Sequence, residues 1–153
     1  MIEATCCITG HRHFYDNRET IKEQLIKIII PLIEEGIVYF GVGGARGFDL
    51  LAAETVIELR KIYTDVRLIL VLPYKNHTEK WQQEEIELYN RISASANKIK
   101  VLSPFYYKGC MLARNKHLVN NSTICICYKR TETGGTAYTV NYARKMGLKI
   151  IEL

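Results

Sequence analysis

The stretch from Gly41 to Asp49, with the sequence GVGGARGFD, constrains the fold of this chain more than any other. Residues 37–40 before it are β-branched and aromatic, which is typical of a strand. A strand that ends in glycines and restarts as a helix presents free backbone N–H groups at the helix N-terminus. With the helix dipole, these donors predict an anion-binding turn. The helix is indicated by residues that recur at intervals of three and four: Phe48, Leu51, Ala52, Thr55, Val56 and Leu59.

The individual residues of this turn fit the same prediction. Gly43, Gly44 and Gly47 can adopt positive φ and let a phosphate approach the backbone. Arg46 adds a charged fork suited to phosphate oxygens. The alternative is that the glycines only make a tight connection between strand and helix. The stretch matches neither G-x-G-x-x-G nor G-x-x-x-x-G-K-[ST], so it specifies neither a dinucleotide nor a nucleoside triphosphate.

Strand-like and helix-like segments alternate along all 153 residues. Several of the strands are apolar throughout, as expected when helices cover both faces of a sheet. The alternation predicts one domain, residues 1–153, with a Rossmann-type three-layer α/β sandwich and a mostly parallel sheet of order 3-2-1-4-5-6. Strands are expected at 5–9, 37–40, 66–72, 98–102, 123–128 and 148–153, and helices at about 18–35, 48–59, 78–93, 110–119 and from 135 to just before 147.

Composition narrows the class of protein. No apolar run approaches the roughly 18–20 residues of a membrane span, and the N-terminus has no basic and apolar regions of a secretion signal, so we expect a cytoplasmic protein. The net charge of +5 suits a nucleic acid and an anionic small molecule equally well. Four of the five cysteines lie in strand-like runs, and no pair has the C-x₂-C spacing of a zinc site. We therefore expect reduced, structural cysteines and no metal.

Ligands of open parallel sheets bind beyond the carboxyl ends of the strands, near the point where the strand order reverses. In the predicted order, the loops after strands 1, 2, 4 and 5 line this crevice. A second glycine turn, Gly134-Gly135-Thr136, opens a helix there and offers N–H groups and a hydroxyl for phosphate or ribose. The other loops contribute Thr9, Gly10, His11 and Arg12 after strand 1, residues 43–49 after strand 2, and residues 103–107 after strand 4.

The remaining candidates are single residues. Arg114 and Asn115 lie on the fourth helix, where a cleft-facing pair needs partners, although a surface arginine is the simpler interpretation. Asp49 suits either the helix dipole or a ribose hydroxyl. His11 and Asp49 are weak candidates for acid–base chemistry, and we find no Ser-His-Asp or Cys-His arrangement. Four aromatic residues are candidates for stacking on a base, with Trp81 better explained as core: Tyr74, Trp81, Phe105 and Tyr106.

Four segments together resemble the YpsA group of the SLOG superfamily, over essentially the whole chain. They are Cys6-Cys7-Ile8-Thr9-Gly10-His11-Arg12, the run from Gly43 to Glu54, Ala113-Arg114-Asn115 and Gly134-Gly135-Thr136. The superfamily also contains the LOG phosphoribohydrolases and the Rossmann domain of DprA. The resemblance implies a pocket for a nucleotide or a nucleotide-derived ligand such as ADP-ribose. Its contact residues would be Gly10, His11, Arg12, Gly43, Gly44, Arg46, Gly47, Asp49, Gly134, Gly135 and Thr136.

Two differences bear on the activity that this resemblance implies. LOG enzymes carry P-G-G-x-G-T-x-x-E with a catalytic glutamate, but here Thr139 stands three residues after Thr136. The stretch from Gly44 to Asp49 also resembles the corresponding turn of DprA, which belongs to a fold that binds single-stranded DNA. We therefore expect a nucleotide-binding or sensor protein that requires no cofactor. The alternatives are a nucleotide or N-glycoside hydrolase and a single-stranded nucleic-acid-binding protein, and relatives of this fold suggest a homodimer.

Overall fold

Six parallel strands form one sheet in the order β4-β3-β2-β1-β5-β6 in the computed structural model, which describes residues 2–153. A short 3₁₀ helix, Ile2–Ala4, precedes the first strand. The strands are β1 Thr5–Gly10, β2 Tyr39–Val42, β3 Arg67–Leu72, β4 Lys98–Val101, β5 Ile124–Tyr128 and β6 Lys149–Glu152. The helices are α1 Arg18–Glu34, α2 Phe48–Arg60, α3 Gln83–Ser95, α4 Cys110–Asn120 and α5 Gly135–Lys145.

The predicted three-layer Rossmann-like α/β class is confirmed, but the predicted position of the fourth strand is wrong. Strands β1 to β4 advance in one direction across the sheet, and β5 then returns to pair with β1. Consequently β4 lies at an edge beside β3, not beside β1. Its alternating sequence, Lys98-Ile99-Lys100-Val101, fits this place because all four residues are exposed.

Two layers of helices cover the sheet and define two apolar clusters. Helix α2 packs against both α1 and α3, while α4 packs against α5. The larger cluster contains Phe40, Phe48 and Leu70, and the smaller contains Cys7, Leu118 and Val140. All five cysteines are buried and free. Four of them lie in β1 and β5, as their strand-like surroundings indicated, and Cys110 begins α4. Across residues 2–153, the structure contains no helix with the length and apolar character needed to cross a membrane.

Most predicted helix boundaries agree with the structure to within a few residues, but the start of α3 does not. The helix was predicted from about residue 78, whereas it begins at Gln83. The Glu85 carboxylate accepts the backbone N–H of Gln82 at 3.2 Å, which stabilises the first turn at this later position. Residues 78–82 therefore belong to the connection after β3, and Trp81 lies on this connection instead of on a helix.

We expect Gly10→Ala to destabilise the fold where β1 meets α2. A Cβ atom at Gly10 would collide with the fully buried ring of Phe48, whereas a Cβ at Gly135 would meet nothing within 4 Å. The substitution should lower the free energy of unfolding by about 1–3 kcal/mol, as overpacked sites do. Urea unfolding of Gly10→Ala beside the control Gly135→Ala measures the difference. Equal stability of the two variants would contradict this packing.

Candidate functional site

The strand order reverses between β1 and β5, and a cleft of about 300 Å³ opens beyond the carboxyl ends of these two parallel strands. The loops after β1 and β5 and the first turns of α2, α4 and α5 form its walls. Ten of the predicted site residues line it: Thr9, Gly10, His11, Arg12, Asp49, Arg114, Asn115, Gly134, Gly135 and Thr136. Sequence reasoning did not select Met111 and Leu112, which complete one wall without any recognisable motif.

A second cavity of about 430 Å³ adjoins the first and shares four lining residues with it: Arg12, Ala45, Met111 and Arg114. Arg46 lines this second cavity, not the first. The loop after β3, which the predicted crevice did not include, forms much of the wall. The loop after β4, which it did include, contributes Tyr106 alone. The error follows from the predicted strand order, which placed strand 4 beside strand 1.

The glycine turn after β2 supports the site from behind. Gly43 and Gly44 are buried and line neither cavity. The Gly43 carbonyl accepts a hydrogen bond from the Arg114 guanidinium, and the Gly44 carbonyl lies 2.9 Å from Nε2 of His77. Gly47 has φ +75°, and a side chain there would collide with the backbone carbonyl of Arg12. These glycines therefore let other protein segments approach closely, in addition to making the tight strand-to-helix connection that was the alternative to ligand binding.

Asp49 places a carboxylate at the N-terminus of α2. It is 6% exposed, and its Oδ2 accepts the backbone N–H of Ala45 at 3.2 Å. Burial raises the pKa of Asp49 from 3.8 to about 6, although the charges of Arg114 and Arg12 and the Ala45 hydrogen bond oppose this shift. The glycine turn after β2 thus binds a carboxylate of the protein itself, that of Asp49.

Arg114 connects the two glycine turns. Its side chain is 4% exposed, so the interpretation as a surface arginine is wrong. Its Nε donates to Oδ1 of Asn115 at 2.7 Å, and Nδ2 of Asn115 donates to the Thr139 hydroxyl at 2.9 Å. That hydroxyl donates to the Gly135 carbonyl at 2.9 Å. Burial lowers the pKa of Arg114, while the nearby Asp49 charge raises it.

The N-terminus of α5 faces the cleft without a side-chain cap. Gly134 occupies the N-cap position with φ 98° and makes no capping hydrogen bond through a side chain. Gly134, Gly135 and Thr136 all line the cleft, and the Thr136 side chain is largely buried. Because Arg12 and Arg114 line the same cleft, the backbone donors of this helix and two guanidinium groups surround one space.

His11 acts in the packing of its own loop. Its Nε2 accepts the backbone N–H of Arg130 at 2.7 Å, and its carbonyl accepts the N–H of Phe48 at 3.1 Å. Burial and the charges of His13 and Arg130 lower the pKa of His11. Since an imidazole that accepts through Nε2 carries its proton on Nδ1, His11 is held as a neutral ring. This environment disfavours its use as a general acid.

The aromatic candidates separate into two groups. Tyr74, Trp81 and Tyr106 line the second cavity, and the rings of Tyr74 and Tyr106 meet edge to face at 5.6 Å. Phe105 is 68% exposed and lines neither cavity. Trp81 is half-buried and borders the larger apolar cluster, so its expected place within the core is only partly correct. The assumed helical spacing misled the sequence interpretation, because Trp81 precedes α3.

Comparison with known proteins supports a common family and fold. The family model YpsA, described as the YspA SLOG family, matches residues 6–150. The UPF0398 protein of Brevibacillus brevis is 30% identical over 128 residues, which cover 82% of this chain and 68% of the relative. The UPF0398 protein of Bacillus cereus (strain ATCC 14579) is 26% identical over 155 residues, which cover 92% of this chain and 82% of the relative.

Two solved structures share the architecture. DNA processing protein A (DprA) of Helicobacter pylori, which binds single-stranded DNA, aligns with a TM-score of 0.70 and 22% identity. DprA of Streptococcus pneumoniae aligns with a TM-score of 0.68 and 17% identity. Each alignment covers 97% of this chain, but this chain spans only 64% and 49% of those two proteins. At these identities, the likeness shows the fold alone.

We expect Asp49→Asn to change how stability depends on pH. Because the folded pKa of about 6 exceeds the usual 3.8, the folded protein takes up a proton more readily than the unfolded chain. The stabilisation by the proton is present below about pH 4 and is lost as the pH rises through about 6. Relative to Asp49→Asn, the wild type should lose about 2–3 kcal/mol of unfolding free energy across this interval.

Urea unfolding at about pH 4 and pH 7 measures this difference. The exposed Asp65 supplies the matched control variant Asp65→Asn. A stability difference between wild type and Asp49→Asn that stays constant with pH would contradict the proposed environment of the carboxyl group.

Proposed function

The chain belongs to the YpsA family of SLOG proteins, and we propose that it binds a nucleotide or a nucleotide-derived ligand, such as ADP-ribose, as a binding or sensor protein. The cleft between β1 and β5 is the binding site. The observation that carries the proposal is the buried Arg114 guanidinium, which borders the same cavity as the uncapped N-terminus of α5. A buried cation beside free helix donors is suited to a phosphate group.

The charge and the surroundings of Arg114 suit the binding of a phosphate group. Within residues 2–153, no carboxylate lies within 4.0 Å of its guanidinium. Asp49, whose negative charge raises the pKa of Arg114, accepts a hydrogen bond from the backbone N–H of Ala45. A phosphate at the N-terminus of α5 would neutralise Arg114 and the more exposed Arg12, and it would accept hydrogen bonds from the helix.

The part of the cleft that Asp49 lines favours hydroxyl groups over a second phosphate. Asp49 is the one carboxylate that lines the cleft among the described residues, and its negative charge repels another anion. A ribose hydroxyl can donate a hydrogen bond to this carboxylate, in agreement with the prediction that Asp49 binds the ribose of a nucleotide. The phosphate therefore belongs at the second glycine turn, and the first turn contributes Asp49 and the backbone that supports Arg114.

The same geometry makes binding a stronger proposal than hydrolysis. Thr139 stands where LOG enzymes carry a catalytic glutamate, and its hydroxyl is engaged by Gly135 and Asn115. His11 is fixed as a hydrogen-bond acceptor. A hydrolase in this cleft would therefore depend on Asp49, whose pKa of about 6 is compatible with proton transfer near neutral pH. Release of free base or ribose phosphate during incubation with a nucleotide would support that activity.

We expect Arg12→Ala to weaken the binding of AMP and ADP-ribose by about 1.5–3 kcal/mol, the contribution of a charge-assisted hydrogen bond. Arg12 lines both cavities and its side chain is exposed, so its removal leaves the core intact. Isothermal titration calorimetry of the wild type, Arg12→Ala and the control Arg91→Ala, on the exposed surface of α3, measures the change. Equal affinities in all three proteins, or no binding by the wild type, would refute the proposed site.

Single-stranded DNA is the second candidate ligand, and a specific surface favours it. The aromatic loop at Phe105, Tyr106 and Tyr107 is exposed beside the second cavity. The exposed Lys108 follows it directly, and the exposed Lys75 is held close to it because its backbone N–H donates to the Ser103 carbonyl at 3.0 Å. Aromatic and basic side chains in such proximity are typical of surfaces that bind single strands. The H. pylori protein with the same fold binds single-stranded DNA.

If the chain binds DNA through this surface, its affinity should rise with oligonucleotide length. The logarithm of the association constant should fall linearly with the logarithm of salt concentration, with a slope of about −0.7 for each neutralised phosphate. Fluorescence anisotropy with labelled oligo-dT of increasing length measures both properties. An affinity that is independent of length, and equal to that of a mononucleotide, would assign the site to small ligands.

A further inference from the structure

Trp81 forms a fixed wall of the second cavity. One of its neighbours is His77, whose ring centroid lies 5.2 Å away, and another is Tyr89 at 6.0 Å, both in edge-to-face contact. His77 is itself held by the Gly44 carbonyl at 2.9 Å and is buried. The indole is therefore packed from the protein side by two positioned rings, while it also lines the open cavity.

Arg46 lies over this indole, which is its one side-chain partner among residues 2–153. Its guanidinium carbon is 6.0 Å from the centroid of the Trp81 ring. Over the part of the chain that the structure describes, Arg46 forms neither an ion pair nor a side-chain hydrogen bond. A half-buried guanidinium without a carboxylate partner retains its donors for a ligand. Tyr74 and Tyr106 complete the aromatic lining.

We propose that the second cavity is the subsite for the nucleobase of the ligand, with the base stacked on Trp81 and covered by Arg46. This inference rests on the proposed function, because it assigns one part of the same ligand to a separate compartment. Arg12 and Arg114 line both cavities and so mark the junction between them. A nucleotide spans this junction, with its phosphate at α5 and its base against Trp81.

The chemistry of the cavity favours an aromatic heterocycle over a sugar or an aliphatic group. Indole rings stack on the π-face of a base, and a guanidinium plane stacks on the same kind of surface. The polar edge of a base can meet Glu79 and Lys80, which also line the cavity. The volume of about 430 Å³ lies within the range of small-molecule pockets. In this assignment Arg46 contacts the base and not the phosphate.

The inference is tested by comparing ribose 5-phosphate with the four nucleoside monophosphates. The wild type should bind at least one nucleoside monophosphate about tenfold or more tightly than ribose 5-phosphate, as the contribution of base stacking predicts. Trp81 is the single tryptophan of the chain, so its fluorescence reports directly on the subsite. The nucleotide should change this fluorescence, and ribose 5-phosphate should not.

Trp81→Leu should reduce the affinity for that nucleotide by about tenfold or more and leave the affinity for ribose 5-phosphate unchanged. Tyr138→Leu, at an exposed aromatic residue of α5 that lines neither cavity, is the matched control and should behave as the wild type. Because the comparison of ligands uses the wild type, it remains decisive even if Trp81→Leu does not fold.

Equal wild-type affinities for ribose 5-phosphate and all four nucleotides would overturn the base subsite while leaving the phosphate site intact. An affinity advantage of the nucleotide that survives Trp81→Leu, with no change of fluorescence in the wild type, would overturn the role of Trp81. Failure of every one of these ligands to bind would refute the proposed function, and the subsite with it.

Discussion

The arrangement of the cleft depends on the burial of one guanidinium. Arg114 bonds to the carbonyl of Gly43 after β2 and, through Asn115 and Thr139, to the carbonyl of Gly135 on α5. Those carbonyl groups belong to two segments that are remote in sequence. Because leaving a buried cation without partners is costly, the contacts must form together. The positions of the two glycine turns are therefore linked by a side chain from a third element, α4.

The fold class and much of the cleft could be predicted because they follow from local patterns. The glycine turns, the residues after β1 and the Arg114-Asn115 pair each stand at the end of a strand or the start of a helix. Parallel strands bring such positions to one edge. The position of β4 was not predicted, because strand order depends on long-range packing that periodicity does not encode. The alternation of lysine with apolar residues in β4 was a usable sign of an edge strand.

The glycines show that the function of a sequence motif can be assigned only when its surroundings in the structure are known. From the sequence, Gly43 and Gly44 were expected to approach a ligand, yet the space beside Gly43 is filled by Arg114, whose guanidinium would lie 2.8 Å from an added Cβ. Both interpretations require a residue without a side chain, so the sequence cannot distinguish them. His77 illustrates the opposite problem, since nothing around it in the sequence indicates that it supports both Gly44 and Trp81.

The exposed edge strand β4 has a consequence for the behaviour of the protein at high concentration. An unpaired edge of a parallel sheet offers a row of backbone donors and acceptors to any other strand, and the apolar side chains of Ile99 and Val101 are exposed along it. Lys98 and Lys100 interrupt these apolar residues. Pairing of β4 with a foreign strand would bring two ammonium groups close to the new partner, at a cost in solvation. The lysines thus protect this edge from aggregation, while its short length of four residues limits the strength of any accidental pairing.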